Sequence, residues 1–259
     1  MIHPTAIIDP AAELADDVEV GPFAIIEGGV KVAAGCKIAG HAQLLNSVSI
    51  SENCQIHQAA IIGGNPQDLK FDPATPSSVE VGPDCVLREH VTINRGSVEG
   101  GVTRLGASNY FMAGAHAGHD ASLGDHNILA NGVMLGGWVQ LGNRIFLGGG
   151  AGVHQFVRIG DLCIAQGVSA ISMDLPPYTL SAGINNVRGL NSIGLKRSGL
   201  DAATRKDIKR AFDLFYRSGK NFSEALEESG SCEWTPEAEK FFGFVRGPSK
   251  KGICPYRGG

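Results

Sequence analysis

Two neighbouring side chains, His119 and Asp120, are of the types that general base catalysis requires. A free imidazole titrates near pH ~6.5, so it can accept a proton at neutral pH, and an adjacent carboxylate can orient it or stabilise its cation. Alanine flanks His116 on both sides and glycine precedes His119, which leaves room for a substrate to approach. The pattern indicates a His–Asp base, with a surface histidine of no catalytic role as the alternative. His116 and His154 are weaker candidates for the same role.

A six-residue repeat must position these side chains. An aliphatic residue recurs at every sixth position from Ile2 to Ile62, and a small or apolar residue follows each one four places later. The register resumes at Val81 and again from Leu105 to Ile171. Short strands with this period wind into stacked coils that bury one another's apolar edges. The sequence therefore predicts a parallel β-helix of hexapeptide repeats over residues 1–182.

Two interruptions of the repeat, near residues 63–78 and 98–104, predict loops that leave a corner of the coil. Insertions of this kind usually line the binding face of a solenoid. The polar centre of the first loop, formed by Gln67, Asp68 and Lys70, is therefore a candidate substrate contact. A loop that is merely solvated is the alternative interpretation.

The period becomes helical after Gly183, which predicts a small α-helical domain over residues 183–259. Asp201 is a suitable N-cap for a helix that runs to about Arg217. A second helix is predicted near residues 223–228. A third begins at Thr235-Pro236, because proline suits the first helical position. We expect the tail that follows these helices, after residue 248, to be loosely ordered.

Inward positions of the repeat hold polar groups that can stack from coil to coil. Cys36 and Cys54 are 18 residues apart, so they stack directly if one coil consists of three hexads. Asn109 and Asn127 have the same spacing and can form a short amide ladder. None of the six cysteines belongs to a C-x-x-C motif, so we expect buried thiols rather than disulfides or metal ligands.

The bulk composition predicts a soluble globular protein of the cytoplasm. Hydrophobic residues make up 43% of the chain, yet no apolar run is long enough to span a bilayer and the N-terminus lacks the features of a signal peptide. Charge is unevenly divided: residues 1–187 hold 8 Lys and Arg against 17 Asp and Glu, and residues 188–259 hold 14 against 9. The basic part suits a solvated helical surface or an acidic partner. No basic run with interleaved aromatic residues predicts nucleic-acid binding.

Apolar side chains also occupy positions that face outward, in the sixth place of the repeat. These residues are Ile7, Ile25, Ile61, Val86, Tyr110, Ile128, Met134, Phe146 and Ile164. So many exposed apolar groups indicate a buried subunit contact, and we therefore expect a homo-oligomer.

Seven short motifs follow one another along the chain. They are NPQDLK at 65–70, REHVTINRG at 88–96, AHAGHD at 115–120, VHQF at 153–156, DLPPY at 174–178, GLKR at 194–197 and YRSG at 216–219. Together they resemble the acyl-[acyl-carrier-protein]–UDP-N-acetylglucosamine O-acyltransferases, which catalyse the first step of lipid A biosynthesis in Gram-negative bacteria. The resemblance covers nearly the whole chain and includes both insertions.

This resemblance implies a left-handed β-helix that assembles as a homotrimer, with active sites between subunits and with no metal or other cofactor. It implies that His119 is the general base and that Asp120 supports it. The base would deprotonate the 3-position of UDP-N-acetylglucosamine, which attacks the thioester of a (R)-3-hydroxyacyl chain on acyl carrier protein. The backbone N–H of Gly137 would stabilise the oxyanion. The basic C-terminal part would suit docking of the acidic carrier protein.

Further roles are implied by the same resemblance. Substrates would be held by Asp68, Lys70, His116, His154 and Gln155, the nucleotide by Asn191 and Arg197, and the acyl-chain length would be limited at Gly167. A glycine at position 167 implies room for a longer chain.

The chain departs from this family's usual pattern at three positions. Trp138 replaces a common histidine after the oxyanion glycine, and it stacks on Asp120 if one coil has 18 residues. Ile193 and Ser198 stand where an acidic residue and a second arginine are common. These departures suggest a second candidate acceptor, a 3-amino analogue of UDP-N-acetylglucosamine.

Two other interpretations of the repeat stay open. Three histidines can meet at a subunit contact and bind a metal, as in hexapeptide carbonic anhydrases. However, His116 and His119 are three residues apart, which places them on opposite faces of a strand unless a turn intervenes. A hexapeptide scaffold without catalytic activity is the second interpretation. No serine or cysteine lies in a nucleophile-elbow motif.

Overall fold

The computed structural model describes residues 1–45 and 47–258 and shows a left-handed parallel β-helix followed by α-helices, which confirms the predicted fold class. Ile7 pairs with Ile25 and Ile25 with Gln43, so one coil contains 18 residues. Each coil contributes a short strand to each of three parallel sheets. The cross-section is therefore a triangle with aliphatic side chains inside.

The first sheet contains Ile7–Ile8, Ile25–Ile26, Gln43–Leu44, Ile61–Gly64, Thr92–Asn94, His116–Ala117, Met134–Leu135, Gly152–Val153 and Ala170–Ile171. The second sheet contains Glu13–Leu14, Lys31–Val32, Ser47–Ile50, Ser78–Val81, Val102–Leu105, Ser122–Leu123, Gln140–Leu141 and Arg158–Ile159. The third sheet contains Glu19–Val20, Lys37–Ile38, Gln55–Ile56, Val86–Leu87, Tyr110–Phe111, Ile128–Leu129, Phe146–Leu147, Ile164–Ala165, Thr179–Ser181 and Val187–Leu190. We number the corners in chain order: the first corner joins the first sheet to the second.

Polar groups inside the helix are satisfied by the neighbouring coil. The Asn109 side-chain oxygen accepts a hydrogen bond from the Asn127 N–H at 3.0 Å, and the Asn127 oxygen accepts one from the Ile145 N–H at 2.9 Å. The two side chains stack from coil to coil as predicted, but each amide bonds to backbone groups rather than to the other amide. Cys36 and Cys54 lie in the same column and are fully buried, and each thiol donates to a turn carbonyl of the next coil. The hydrogen bond with the Cys36 thiol lowers the pKa of the Cys54 thiol, but the hydrogen bond with Cys85 and burial outweigh it and raise this pKa to about 12, so the thiol stays protonated and inert.

Both insertions leave the first corner, and the sheets continue past them with one local register shift between Ile62 and Gly64. Ile61 still pairs with Thr92 across the first insertion, and Thr92 pairs with His116 across the second. Ser78 likewise pairs with Val102 on the second sheet. The extra residues therefore accumulate at one edge of the helix, directly beneath the turn that contains His119.

Arg95 fastens the first loop to this corner. Its guanidinium donates to Asn65 Oδ1 at 3.1 Å, Pro73 O at 2.7 Å, Thr75 O at 2.5 Å and Ser77 Oγ at 3.1 Å. The side chain is buried, which lowers the pKa of Arg95, and no carboxylate among the described residues pairs with it. The Arg95 guanidinium is therefore bound to the loop through carbonyl and hydroxyl oxygens rather than through an ion pair.

The C-terminal part begins with an antiparallel hairpin, Thr179–Ser181 with Val187–Leu190, which extends the third sheet. The predicted domain boundary at 182/183 falls within the turn of this hairpin. Four helices follow in the described chain: α1 (Ser192–Arg197), α2 (Ala202–Arg217), α3 (Phe222–Ser229) and α4 (Pro236–Arg246). The predicted helices match α2, α3 and α4, with Asp201 and Thr235 as N-caps of α2 and α4, whereas α1 was not predicted. None of the helices in the described part has the length and apolar character of a membrane span.

The prediction of a loosely ordered tail was wrong. Ile253 pairs with Asp174 and Tyr256 with Val187, so the tail adds backbone contacts to the top of the β-helix. The Tyr216 hydroxyl donates to the carbonyl of the buried Cys254 at 2.9 Å. These pairings satisfy backbone groups of the tail, and a search for hydrophobic periodicity does not detect them.

Candidate active site

His119 and Asp120 occupy the turn of the first corner and contact each other directly. His119 Nδ1 lies 2.8 Å from Asp120 Oδ2, and the Asp120 side chain is only 3% exposed. Asp120 takes the left-handed backbone conformation, with φ of 58°. Aspartate tolerates this conformation better than most residues, so the turn places its carboxylate beside the imidazole without a glycine.

Two further side chains orient Asp120. The N–H and hydroxyl of Ser97 both donate to Asp120 Oδ2, at 2.9 and 2.6 Å, and the Asp120 N–H donates to Thr103 Oγ1 at 2.8 Å. Burial opposes ionisation of Asp120, but the hydrogen bonds from His119 and Ser97 outweigh it and lower the pKa of this carboxyl. Asp120 is therefore a carboxylate that accepts a hydrogen bond from the Nδ1–H of His119, which leaves Nε2 as the basic atom.

Ser97 belongs to the segment just before the second insertion and was not predicted as a site residue. Its contact with Asp120 spans 23 positions in the chain. The sequence did offer one indication of its role. Both interruptions of the repeat fall at the same corner, which places Ser97 beneath the turn that contains His119. Gly101 contributes as well, because a β-carbon there would come within 2.8 Å of Asp120 Oδ1.

Gly137 lies one coil above His119 and forms the wall against which the imidazole packs. A β-carbon at position 137 would come within 2.5 Å of both Nε2 and Cε1 of His119. The Gly137 N–H has no acceptor among the described residues. A basic nitrogen and a free backbone N–H thus lie side by side at one surface, as acyl transfer through an oxyanion requires.

These groups open into a groove of about 800 Å³ on the outer face of the first sheet. Six residues predicted for the site line it: Gln67, His116, His119, Gly137, His154 and Gln155. His116 Nδ1 lies 2.7 Å from Thr92 Oγ1, which turns the other ring nitrogen outward. Burial, and secondarily the charge of His119, lower the pKa of His116, so this imidazole is neutral at neutral pH.

The remaining predicted residues lie outside this groove in the single chain. Asp68 stays within the first loop, where its carboxylate accepts from the Lys70 N–H at 2.9 Å. Asn191 caps α1 and reaches the carbonyl of Leu162 at the second corner, and Arg197 is exposed at the end of that helix. Gly167 lies at the third corner, close to Gly149.

Three residues depart from the usual pattern of the family that the sequence resembles, and the structure places each of them. Trp138 lies one coil above Asp120 in the same left-handed turn conformation, as predicted, but it does not line the groove. Ile193 is 68% exposed on α1, and Ser198 is the C-cap of that helix. In the single chain, none of the three residues lines the groove.

A turn does intervene between His116 and His119, so both histidines line the groove despite their spacing. Even so, no group of three His, Cys, Asp or Glu residues in the described chain has the geometry to hold a metal ion. Both imidazoles instead have protein hydrogen-bond partners on Nδ1.

Comparison with known proteins identifies relatives of the whole chain. The family model described as UDP N-acetylglucosamine O-acyltransferase, domain 2, matches residues 174–254. A curated relative from Syntrophobacter fumaroxidans, the acyl-[acyl-carrier-protein]–UDP-N-acetylglucosamine O-acyltransferase, is 42% identical over 97% of this chain and 98% of its own. The chain belongs to this O-acyltransferase family. It is therefore an acyltransferase, and the scaffold and carbonic anhydrase interpretations are set aside.

Solved structures described as UDP-N-acetylglucosamine acyltransferases have the same fold. The enzyme from Campylobacter jejuni is 34% identical with a TM-score of 0.93, covering 99% of this chain and all of its own. The enzyme from Francisella novicida is 32% identical with a TM-score of 0.95, covering 99% of this chain and 94% of its own. The β-helix, the hairpin and the helices thus all belong to the family fold.

Proposed function

We propose that this enzyme transfers a (R)-3-hydroxyacyl chain from acyl carrier protein to the 3-position of UDP-N-acetylglucosamine, the first step of lipid A biosynthesis. The observation that carries the proposal is the position of His119 Nε2 beside the unpaired N–H of Gly137. The names of the relatives supply the two substrates. We place the reaction in the cytoplasm.

In the proposed reaction His119 Nε2 removes the proton of the sugar 3-hydroxyl as its oxygen attacks the thioester carbonyl. The Gly137 N–H donates to the oxyanion of the tetrahedral intermediate, a contact worth on the order of 10²–10³ in kcat. The intermediate collapses with cleavage of the carbon–sulfur bond, and the departing thiolate takes the proton back from His119. Asp120 stays ionised and stabilises the imidazolium between these steps.

The groove offers separate regions for the two substrates. Gln67 and His116 lie on its lower coils next to the first loop, and His154 and Gln155 lie above Gly137. We assign the sugar nucleotide to the lower region, where Asp68 and Lys70 of the loop can reach it. We assign the acyl chain to the upper region.

We propose that the active enzyme is a homotrimer. The outer face of the second sheet is polar and carries ion pairs such as Lys31 with Glu13 at 3.0 Å. The outer faces of the first and third sheets instead expose apolar groups, among them Met134 and Phe146. A contact between the third sheet of one copy and the first sheet of the next is heterologous, and three copies close it into a ring.

The trimer also explains the predicted residues that lie outside the groove. A neighbour that covers the first sheet with its third sheet brings its second corner, with α1, towards the first corner of this chain. Asn191 and Arg197 would then reach the nucleotide from the neighbouring subunit. Gly167, at the third corner, would limit the acyl chain.

An assay must also decide the identity of the acceptor sugar. Ile193 and Ser198 flank the nucleotide residues Asn191 and Arg197, and they are the basis for a 3-amino analogue of UDP-N-acetylglucosamine as the second candidate. The reaction would then form an amide with the same base and oxyanion donor. Full efficiency with the hydroxyl sugar and none with the amino sugar would exclude it.

The decisive assay measures transfer from 3-hydroxymyristoyl carrier protein to UDP-N-acetylglucosamine. His119→Ala should abolish turnover while the trimer stays intact. His126→Asn is the matched control, because His126 is an exposed histidine in a left-handed turn of the second corner. Turnover that survives His119→Ala would overturn the mechanism, and inactive wild type with either acceptor would overturn the function.

A further inference from the structure

The groove lacks the positive charge that a sugar diphosphate needs. Phosphate oxygens that leave water must be paired with cations or hydrogen-bond donors. No lysine or arginine of the described chain lines the groove, the imidazole of His116 is neutral, and Asp120 beside the groove is a carboxylate. Lys70 of the first loop is a cation that the same chain can offer to the lower region. Further cations must therefore come from the neighbouring subunit of the proposed trimer.

The second corner presents an exposed arginine next to the start of α1. Arg144 lies at the apex of a turn of this corner, with φ of 55°. Leu162 lies one coil above it at the same position and donates its N–H to the Asn143 carbonyl at 2.8 Å. The carbonyl of Leu162 in turn accepts from Asn191 Nδ2 at 2.8 Å. The N-cap of α1 is therefore bonded to the turn that stacks directly on the turn of Arg144.

The guanidinium of Arg144 is free to bind a ligand. Its side chain is exposed, and no described residue accepts a hydrogen bond from it. Asp125 and Asp161 lie on the same corner, but their carboxylates accept the backbone N–H groups of Ala107 and Asn143 at 2.7 and 2.8 Å. Neither carboxylate forms an ion pair with Arg144 in the part of the chain that the structure describes.

We propose that Arg144 of the neighbouring subunit binds the diphosphate of the sugar nucleotide. The proposed trimer brings the second corner, with Arg144 and α1, towards the groove. The last turn of α1 holds Lys196 and Arg197, whereas Ser198, its C-cap, is uncharged. Arg144 adds a planar donor from the coils below α1, and such a donor can bind phosphate oxygens in a bidentate contact. This inference rests on the proposed acyl transfer and trimer, and it adds a residue that recognises the phosphates.

Nucleotide binding tests the assignment without turnover. Arg144→Asn removes the charge and keeps the turn, because Asn53 has the same backbone conformation at this corner, with φ of 59°. In the full-length protein, the Kd for UDP should rise roughly tenfold, the effect of one lost charge-assisted contact. The Kd for uridine should not change, because uridine has no phosphate. Titration calorimetry measures both constants. Unchanged UDP binding, or equal weakening of UDP and uridine, would overturn the proposal.

Kinetics supply the second test. Arg144→Asn should raise KM for UDP-N-acetylglucosamine roughly tenfold with little change in kcat, and Arg144→Lys should recover part of the loss. Arg104→Gln is the control, because Arg104 is an exposed arginine that pairs with Glu80 on the second sheet. If Arg144→Asn lowers the melting temperature and leaves KM unchanged, Arg144 only stabilises its turn and the proposal fails. Wild type that binds UDP through Arg144 but transfers nothing would refute the proposed function alone.

Discussion

The imidazole of His119 packs against the α-carbon of Gly137, so closely that a β-carbon at 137 would lie 2.5 Å from Nε2. The proposed base and the proposed oxyanion donor therefore lie on consecutive coils of one corner, and their separation is set by the stacking of the β-helix. The geometry of the proposed site is thus a consequence of the repeat, with glycine at the position where the imidazole must fit.

Gly137→Ala should displace the imidazole while the backbone N–H stays in place. We expect kcat to fall by about 100-fold, because a displacement of this size spoils the alignment of the reacting groups. Gly189→Ala is the control, since a β-carbon there meets nothing within 4 Å. Steady-state kinetics and thermal melts of both variants check this, and an active Gly137→Ala enzyme would contradict the arrangement.

Ser97→Ala removes the 2.6 Å hydrogen bond to Asp120 but retains the one from the backbone N–H. A hydrogen bond to a charged group contributes about 1.5–3 kcal/mol, so kcat should fall by roughly 10- to 100-fold. KM should change little, because Ser97 acts through Asp120. Ser97→Thr should recover much of the loss, and an unchanged kcat in Ser97→Ala would show that Asp120 needs no such support.

Arg95→Met should loosen the loop that carries Gln67 and Lys70. The variant loses the hydrogen bonds that the guanidinium makes to the loop, so trypsin should cleave after Lys70 at least about tenfold faster. The KM for UDP-N-acetylglucosamine should rise, because the loop lies beside the region assigned to this substrate. Arg104→Met is the control, because Arg104 pairs only with Glu80 on the surface. Equal cleavage rates in the two variants would show that the loop is held by other contacts.

Phe146→Arg should disrupt the proposed trimer, because it places a charge on the exposed apolar face of the third sheet. Ser49→Arg makes the same change on the polar second sheet and should leave the assembly intact. Light scattering coupled to gel filtration gives the mass of each. A trimeric, active Phe146→Arg enzyme would exclude this face as the contact.

Mixed trimers test whether the site is shared between subunits. Trimers of His119→Ala alone or Arg197→Ala alone should be inactive or nearly so. Unfolding and refolding the two together should restore part of the activity, because some sites then combine an intact His119 with an intact Arg197 from the neighbour. Failure to complement would place both residues in one subunit's site.

His116 should make stability depend on pH. Its pKa in the folded protein is lowered by burial, so as pH falls below about 6.5 the unfolded chain takes up the proton first. The contribution of the neutral His116 to the free energy of unfolding is complete above that pH. It is lost as the pH falls towards the pKa of His116 in the folded protein. Urea unfolding at pH 7.5 and 5.5, at fixed protein concentration, should show a smaller loss for His116→Gln than for wild type. An equal loss of stability in the two proteins would mean that other titrating groups dominate the pH dependence.

The six-residue period predicted the β-helix and its coil length because each buried aliphatic residue repeats with the turn of the coil. The interior ladder of Asn109 and Asn127 follows from the same spacing, and the pair His119 and Asp120 was visible because the two residues are adjacent. These features depend on local sequence or on the period.

Features formed by non-periodic segments were not predictable in this way. Ser97 meets Asp120 only because the second insertion turns back beneath the His119 corner. Helix α1 is a single short segment capped by Asn191, and the tail is ordered by backbone pairing with Asp174 and Val187. No hydrophobic pattern marks such contacts, so only the folded chain shows them.

The confinement of both insertions to the first corner has an evolutionary consequence. Because Ile61 still pairs with Thr92, and Thr92 with His116, chain length can vary at this edge without shifting any residue of the core. New loops can be inserted there while the β-helix retains its stability. The same edge is the natural place to graft foreign loops when redesigning the substrate range of this enzyme.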